Sequence, residues 1–567
     1  MKKKKPAAAP PPDFDLPDDK ESLYFLPLGG SGEIGMNLNL FGHQGKWLMI
    51  DLGVTFADDS QPAIDVLMPD PDFIVKRRDK LVGIVLTHAH EDHLGAVPYL
   101  WSKLRCPVYA TPFAAAVLRR KLKEDGPDED VVPIIEVPLS ARFKLGPFDL
   151  ELITLTHSIP EPNAVAIRTE AGTVLHTGDW KLDAAPLVGE VTDEAALRRL
   201  GENGVLAMVC DSTNVLVEGA SGSESDVRES LGELVGRFKN RVAVACFASN
   251  VARLETMARV AEKHGRHAAL IGRSLWRMQE AARATGYLAD TPEFVSEHDA
   301  GYLPRDKVLL VCTGSQGEPR AALARIAQGE HPHIVLEKGD AAVFSSRIIP
   351  GNERAIFRLQ NQLAARGVEL VTEKDHFVHV SGHPARDELT RMYQWVRPKI
   401  AVPVHGEVRH LIAHAELAKQ CQVQQAIMPA NGQVIRLAPG PAETVATVKS
   451  GRLALDGSVL REVGSAVLRD RHRLMYNGAA TATVVVDAKG ALKAPPAITA
   501  RGLLDPEADA GDIAKVAEAV GAAVKALKAQ EKRDDAAVSE AVRRAVRKTI
   551  QGLRGHKPVT DVHVMRV

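Results

Sequence analysis

Cysteine is scarce and unpaired in this chain. Five thiols in 567 residues, at Cys106, Cys210, Cys246, Cys312 and Cys421, form no C-x-x-C pair. That excludes a disulfide framework and a thiolate zinc site, and it fits a reducing compartment. Cys210, Cys246 and Cys312 sit inside apolar runs and read as core thiols. No apolar run is long enough to span a membrane. Aromatic content is only 5% and the formal net charge is −1, so bulk charge announces no nucleic-acid binder, and positive charge for such a partner has to be local. Gly29-Gly30-Ser31-Gly32-Glu33-Ile34-Gly35 lacks the Lys-Ser/Thr of a nucleotide phosphate loop. Its glycines read instead as positions of close backbone approach near a site. The opening lysines are followed by Pro6 and Pro10 to Pro12 rather than by an apolar core, so no signal peptide is read, and residues 1–21 are expected to be a disordered tail.

Hydrophobic content of 45% and charged content of 25% are those of a globular protein. The length suits roughly three or four domains. One stretch concentrates chemistry. Residues 81–86, an apolar and β-branched run, read as a buried strand that ends in Thr87-His88-Ala89-His90-Glu91-Asp92-His93. On extended backbone His88 and His90 point to the same side, while Asp92 and His93 follow on the turn and face a second point. Imidazole and carboxylate at that spacing suit two adjacent metal ions.

Further along, strands again run into polar residues. Residues 150–155 lead to His157, residues 172–176 to Asp179, residues 205–210 to Asp211, and residues 402–404 to His405. Asp51 ends a strand and Asp65 lies in the loop after it; either could help a metal or a turn, and the turn is the favoured reading. Between residues 225 and 371 helices (225–238, 253–264, 275–285) alternate with strands (242–247, 268–271, 308–311, 334–336, 342–344). This predicts a parallel-sheet insert. His376, His379 and His383 follow it. The expectation is one catalytic domain in two parts, 22–224 and 372–450, interrupted by the insert at 225–371. A linker at 451–478 and a small α/β domain at 479–567 complete the chain. The last domain has a strand at 481–487 and helices at 512–529 and 537–553, the second helix bearing Arg543, Arg544, Arg547 and Lys548 on one face.

His88, His90, Asp92, His93, His157, Asp179 and His405, in that order, resemble the ligand set of the metallo-β-lactamase fold. The insert after Asp211 and the late Ser-Gly-His resemble the β-CASP subgroup. Thr313-Gly314-Ser315-Gln316-Gly317-Glu318-Pro319, Phe344-Ser345-Ser346 with Pro350-Gly351-Asn352, and His379-Val380-Ser381-Gly382-His383 are similar to the bacterial ribonuclease J family. The fold this implies is an α/β αββα sandwich interrupted by a β-CASP α/β domain, with a small C-terminal α/β domain.

The function it implies is a metal-dependent ribonuclease with 5′-to-3′ exonuclease and endonuclease activity, acting in rRNA processing and mRNA decay in the cytoplasm. Two zinc ions, with manganese or magnesium as alternatives, would be held by His88, His90 and His157 and by Asp92, His93 and His405, with Asp179 bridging. Asp92, Asp211 and His383 are the expected catalytic residues. Ser249, Asn250, Val251, His379, Val380, Ser381, Gly382 and His383 are the expected RNA contacts. A structural calcium near Asp65 and Asp456, single-stranded RNA with a 5′-monophosphate, and a homodimer or homotetramer complete the expectation. A DNA-directed nuclease, a small-molecule hydrolase and a metal-free RNA scaffold are the competing readings. The domain-sized insert and the basic turns at Arg253, Arg273, Arg320 and Arg347 disfavour the small-molecule hydrolase.

Overall fold

The computed structural model describes residues 14–58, 60–127 and 131–567. Most of the expected tail, residues 1–13, lies outside them. The remainder of that stretch is packed rather than loose. Leu16 is buried, the Phe14 carbonyl accepts from Arg77 (3.0 Å), and the Phe14 ring meets Tyr24 edge-on. The chain forms two compact units. Residues up to Thr55 join Met68–Arg452 in the first, and Phe56–Leu67 join Leu453–Val567 in the second.

The first unit is built on two facing sheets. One has eight strands in the order Glu443–Thr447, Gln433–Ala438, Leu23–Gly29, Leu38–His43, Lys46–Ile50, Leu81–Val85, Val108–Ala110, Ile134–Glu136. The other has seven, in the order Arg142–Leu145, Phe148–Thr154, Asn163–Thr169, Gly172–His176, Ala207–Asp211, Ile400–Val404, Gln425–Ala426. Phe25, Phe41, Leu48 and Val85 of the first sheet interleave with Leu150, Val165, Val209 and Val402 of the second in one core. Helices Glu194–Glu202, Arg386–Val396 and Val408–Gln420 contribute Leu197, Met392 and Leu417 to a second core on the outer face of the seven-stranded sheet. Its central strands are covered on both faces, which is why they read as unbroken apolar runs. Leu81–Val85 runs parallel to both its neighbours, and so does Ala207–Asp211. Polar residues at the ends of such strands collect along one edge of the sandwich.

The insert is a five-stranded, all-parallel sheet in the order His267–Ile271, Val308–Cys312, Val242–Ala245, Ala341–Phe344, Glu369–Val371. The strand expected at 334–336 is absent. Ile334 and Leu336 are buried in the insert core, but His331 Nδ1 accepts the Ile334 amide (3.1 Å) and turns the chain there. A short buried apolar run reads alike as strand or as loop.

The second unit corrects the expected linker. Residues 451–478 contain a hairpin, Arg452–Asp456 with Val459–Glu462, and a helix, Ala466–Asn477. Ala454 and Leu468 pack with Ile64 and Leu67, so a loop assigned from sequence to the catalytic domain belongs here. The unit continues with a sheet, Ala497–Thr499, Ala479–Val486, Val559–Arg566, packed on helices Ala510–Ala526 and Asp535–Arg554.

Candidate metal centre

Strand Leu81–Val85 delivers Thr87 and His88. His90 is extended (φ −72°, ψ 152°), and the one-turn helix Glu91–Leu94 then carries Asp92 and His93. Gly53 makes this turn possible, because a β-carbon there would lie 1.7 Å from the Asp92 carbonyl oxygen. His405 has φ +51°, unusual for a side-chain-bearing residue, and its N–H donates to the Gly30 carbonyl (2.7 Å). Ser31–Gly32 pairs with Gly406–Glu407 beside it. The glycine-rich loop therefore does what was expected of it, bringing backbone close to the site.

Seven side chains distant in sequence meet in two adjoining groups, His88 with His90, His157 and Asp179, and Asp92 with His93, Asp179 and His405. In the first group His88 Nε2 and His157 Nε2 each lie 3.0 Å from His90 Nδ1. In the second His405 Nε2 is 3.1 Å from Asp92 Oδ2, and His93 Nε2 is 3.2 Å from Asp179 Oδ2. Asp179 Oδ2 also lies 4.0 Å from His157 Nε2, and Oδ1 lies 3.3 Å from His405 Nδ1. A third group, Asp179, Asp211, His383 and His405, adjoins them, with His383 Nδ1 2.8 Å from Asp211 Oδ2.

The groups differ electrostatically. Burial pushes His88 and His157 well down from the ordinary imidazole value and His90 down to about 4, so all three are neutral with lone pairs available. His93 and His405 are also buried, but the carboxylates around them overcome that penalty and raise both well above it. Asp211 raises His383 against its burial in the same way.

Other groups orient these ligands. Asp51, for which the sequence left a metal role or a turn role open, is fully buried. It accepts from the Thr87 amide (2.8 Å), the Thr87 hydroxyl (2.9 Å) and His93 Nδ1 (2.7 Å). Thr213 donates to Asp211 Oδ1 (2.7 Å) and lies 3.0 Å from His405 Nδ1. His157 Nδ1 donates to the Gly382 carbonyl (2.5 Å), which leaves Nε2 free for a ligand role. A strand-end Asp with a glycine two residues on was the available signal for Asp51; nothing in the sequence marks Thr213.

The expected RNA contacts divide. Asn250 is the N-cap of helix Val251–Lys263, accepting from the Arg253 amide (2.9 Å) and donating to Glu224 (3.1 Å). Val251 is buried in the first turn of that helix. Both side chains are buried, and of the three only Ser249 is half-buried. Val380 is buried, whereas His379, Ser381, Gly382 and His383 are partly open. Burial holds His379 down near about 3, and its Nδ1 has no hydrogen-bond partner.

Four family models match in series. They are the metallo-beta-lactamase superfamily over residues 36–200, the ribonuclease J beta-CASP domain over 239–363, the Zn-dependent metallo-hydrolase RNA specificity domain over 367–429, and the ribonuclease J C-terminal domain over 466–567. The chain is 44% identical to ribonuclease J of Sinorhizobium meliloti, covering 98% of this chain and 99% of that one. It is 40% identical to that of Mycolicibacterium smegmatis (99% of each) and 38% identical to that of Mycobacterium tuberculosis (98% and 100%). The chain belongs to the ribonuclease J family.

The family implies bound metal, and the side chains of this ribonuclease J-family member fit one. Three imidazole nitrogens converge at 3.0 Å, where His157 Nε2 carries no proton and His90 Nδ1 cannot satisfy both neighbours. Asp179 Oδ1 is buried and receives no hydrogen bond. A cation resolves both conflicts. Asp456, expected beside a structural calcium, accepts from Arg461 Nε (2.9 Å) and Arg471 (2.9 and 3.1 Å).

Proposed function

We propose that the chain is a metal-dependent ribonuclease that degrades single-stranded RNA 5′-to-3′ and also cuts internally, in the rRNA processing and mRNA decay of a bacterial cytoplasm. The observation that carries this reading is the meeting of the seven side chains in two adjoining groups with Asp179 common to both. His88, His90 and His157 would hold one ion, and Asp92, His93 and His405 the other. Zinc is the expected metal and manganese or magnesium the alternatives. When bound, the ions supply a hydroxide nucleophile near neutral pH and neutralise charge on the phosphate.

The chain's own groups do the rest. As the hydroxide oxygen bonds to phosphorus and the P–O3′ bond breaks, the leaving 3′-oxygen takes a proton from His383, which Asp211 keeps protonated through their 2.8 Å contact. Ser249, His379, Ser381 and the Gly382 backbone contact RNA phosphate. The assembly is a homodimer or homotetramer. No described helix is long and apolar enough to cross a membrane. The test is a time course on 5′-monophosphorylated RNA labelled at either end, with the parent protein and His90→Ala. Release of mononucleotides from the 5′ side, lost in the variant, supports the reading. Intact RNA with metal-loaded parent protein overturns it.

A further inference from the structure

Glu388 lies outside both ligand groups, in helix Arg386–Val396, and is 2% exposed. Four donors converge on its carboxyl. Oε1 accepts the Leu182 amide (2.8 Å) and the Ser221 hydroxyl (2.7 Å), and Oε2 accepts the Ser221 amide (2.9 Å) and the Ala385 amide (2.8 Å). These donors come from three separate segments. Leu182 is three residues after Asp179. Ser221 is where the chain leaves for the insert, just before helix Glu224–Arg237. Ala385 is where it returns, two residues after His383.

We propose that Glu388 is a positioning residue for RNA hydrolysis: it fixes the returning turn, with Ser381, Gly382 and His383, in register with the metal ligands by tying both crossings of the insert to the loop that follows Asp179. The inference rests on the ribonuclease reading above. Neighbouring groups brace the same joint. Asp183 accepts from the Ser223 hydroxyl (2.7 Å) and the Glu224 amide (3.1 Å), and Lys181 pairs with Asp183 at 3.0 Å. The turn so held is the one whose Gly382 carbonyl orients His157 and whose His383 meets Asp211. A glutamine cannot replace the carboxylate. Whichever way its amide is turned, an NH2 faces at least one buried backbone N–H, and that donor is left without an acceptor.

The experiment compares full-length parent, Glu388→Gln and Ser221→Ala. Metal content, thermal midpoint, kcat and KM on 5′-monophosphorylated RNA, and the length of the first product are read. For Glu388→Gln the expected result is parental metal content, kcat lower by about 10- to 100-fold, and first products of mixed length, because the turn no longer counts from a fixed place. Ser221→Ala removes one donor and leaves the carboxylate, so it shows the same split at smaller size and decides the matter if Glu388→Gln does not fold. A kcat that falls only in proportion to lost metal or lost folded protein overturns the proposal, as does an unchanged kcat with unchanged product length. A metal-loaded parent that leaves RNA intact instead overturns the ribonuclease reading on which it rests.

Discussion

Asp51 spends both carboxylate oxygens on Thr87 and His93, so it sets the ring that Asp179 also meets. Asn at this position keeps the volume but puts an NH2 against one of those donors. Asp51→Asn is therefore expected to weaken metal affinity by about 10- to 100-fold, the range typical for groups that orient ligands. Competition with a chelator measures this, and an unchanged affinity counts against the role. Gly382 is constrained as tightly. A β-carbon there would lie 2.7 Å from His157 Cε1 and 2.8 Å from Nδ1. Gly382→Ala should displace His157 and lower metal content, with little change in thermal midpoint because the turn itself is half-open. A fully metallated Gly382→Ala protein would contradict this contact. The sequence disclosed the ligands because each stands at or just beyond the end of an apolar strand. It hid Thr213, and it hid the hold of Gly382 on His157, because each acts through a contact with a residue about 190 or 225 positions away, which no local pattern records.

Buried histidines on regular elements give the fold a pH signature. Burial holds His176, at the end of strand Gly172–His176, and His414, in helix Val408–Gln420, down to about 4, as it does His90. Each stays neutral when folded but takes a proton near pH 6.5 when unfolded, so stability is full above that pH and is lost as pH falls toward about 4. By pH 5 the cost approaches about 2 kcal/mol for each such histidine. His93, His383 and His405 are raised, so their contribution is full below pH 6.5 and is lost as pH rises through their folded values. The metal-free protein should thus be most stable between about pH 6 and 7. Denaturant midpoints across pH 5 to 9 after chelation test this, and a midpoint that climbs steadily in either direction refutes it. The same elements show what a sequence conveys. Strands buried on both faces and the alternating insert were readable from apolar runs. Helices Glu353–Ala365, Arg386–Val396 and Val408–Gln420 went unread, their half-buried faces interrupted by charges, and so did the edge strand Val559–Arg566, exposed at every second residue.

At the scale of the whole molecule, a metal site on a sheet edge cannot by itself distinguish an RNA end from its interior. The insert supplies that possibility, because both its crossings are tied into the site. Its return carries His379 to His383, and its first βα turn carries Ser249. On the proposed reading, hydroxyls and backbone N–H groups of this kind would hold a terminal phosphate through several short hydrogen bonds, and a pocket that grips one phosphate would disfavour three. The 5′-triphosphorylated form of an RNA should therefore release its first mononucleotide more slowly than the 5′-monophosphorylated form, by about 10-fold or more if one charge-assisted contact is lost. Internal cuts, which place no terminus in the pocket, should proceed at the same rate on both. Labelled transcripts of one sequence bearing either end, followed for both products in the same reaction, separate the two activities. Equal rates of mononucleotide release would leave the turn without an end-sensing role. A parallel slowing of internal cuts would move the effect to overall RNA binding.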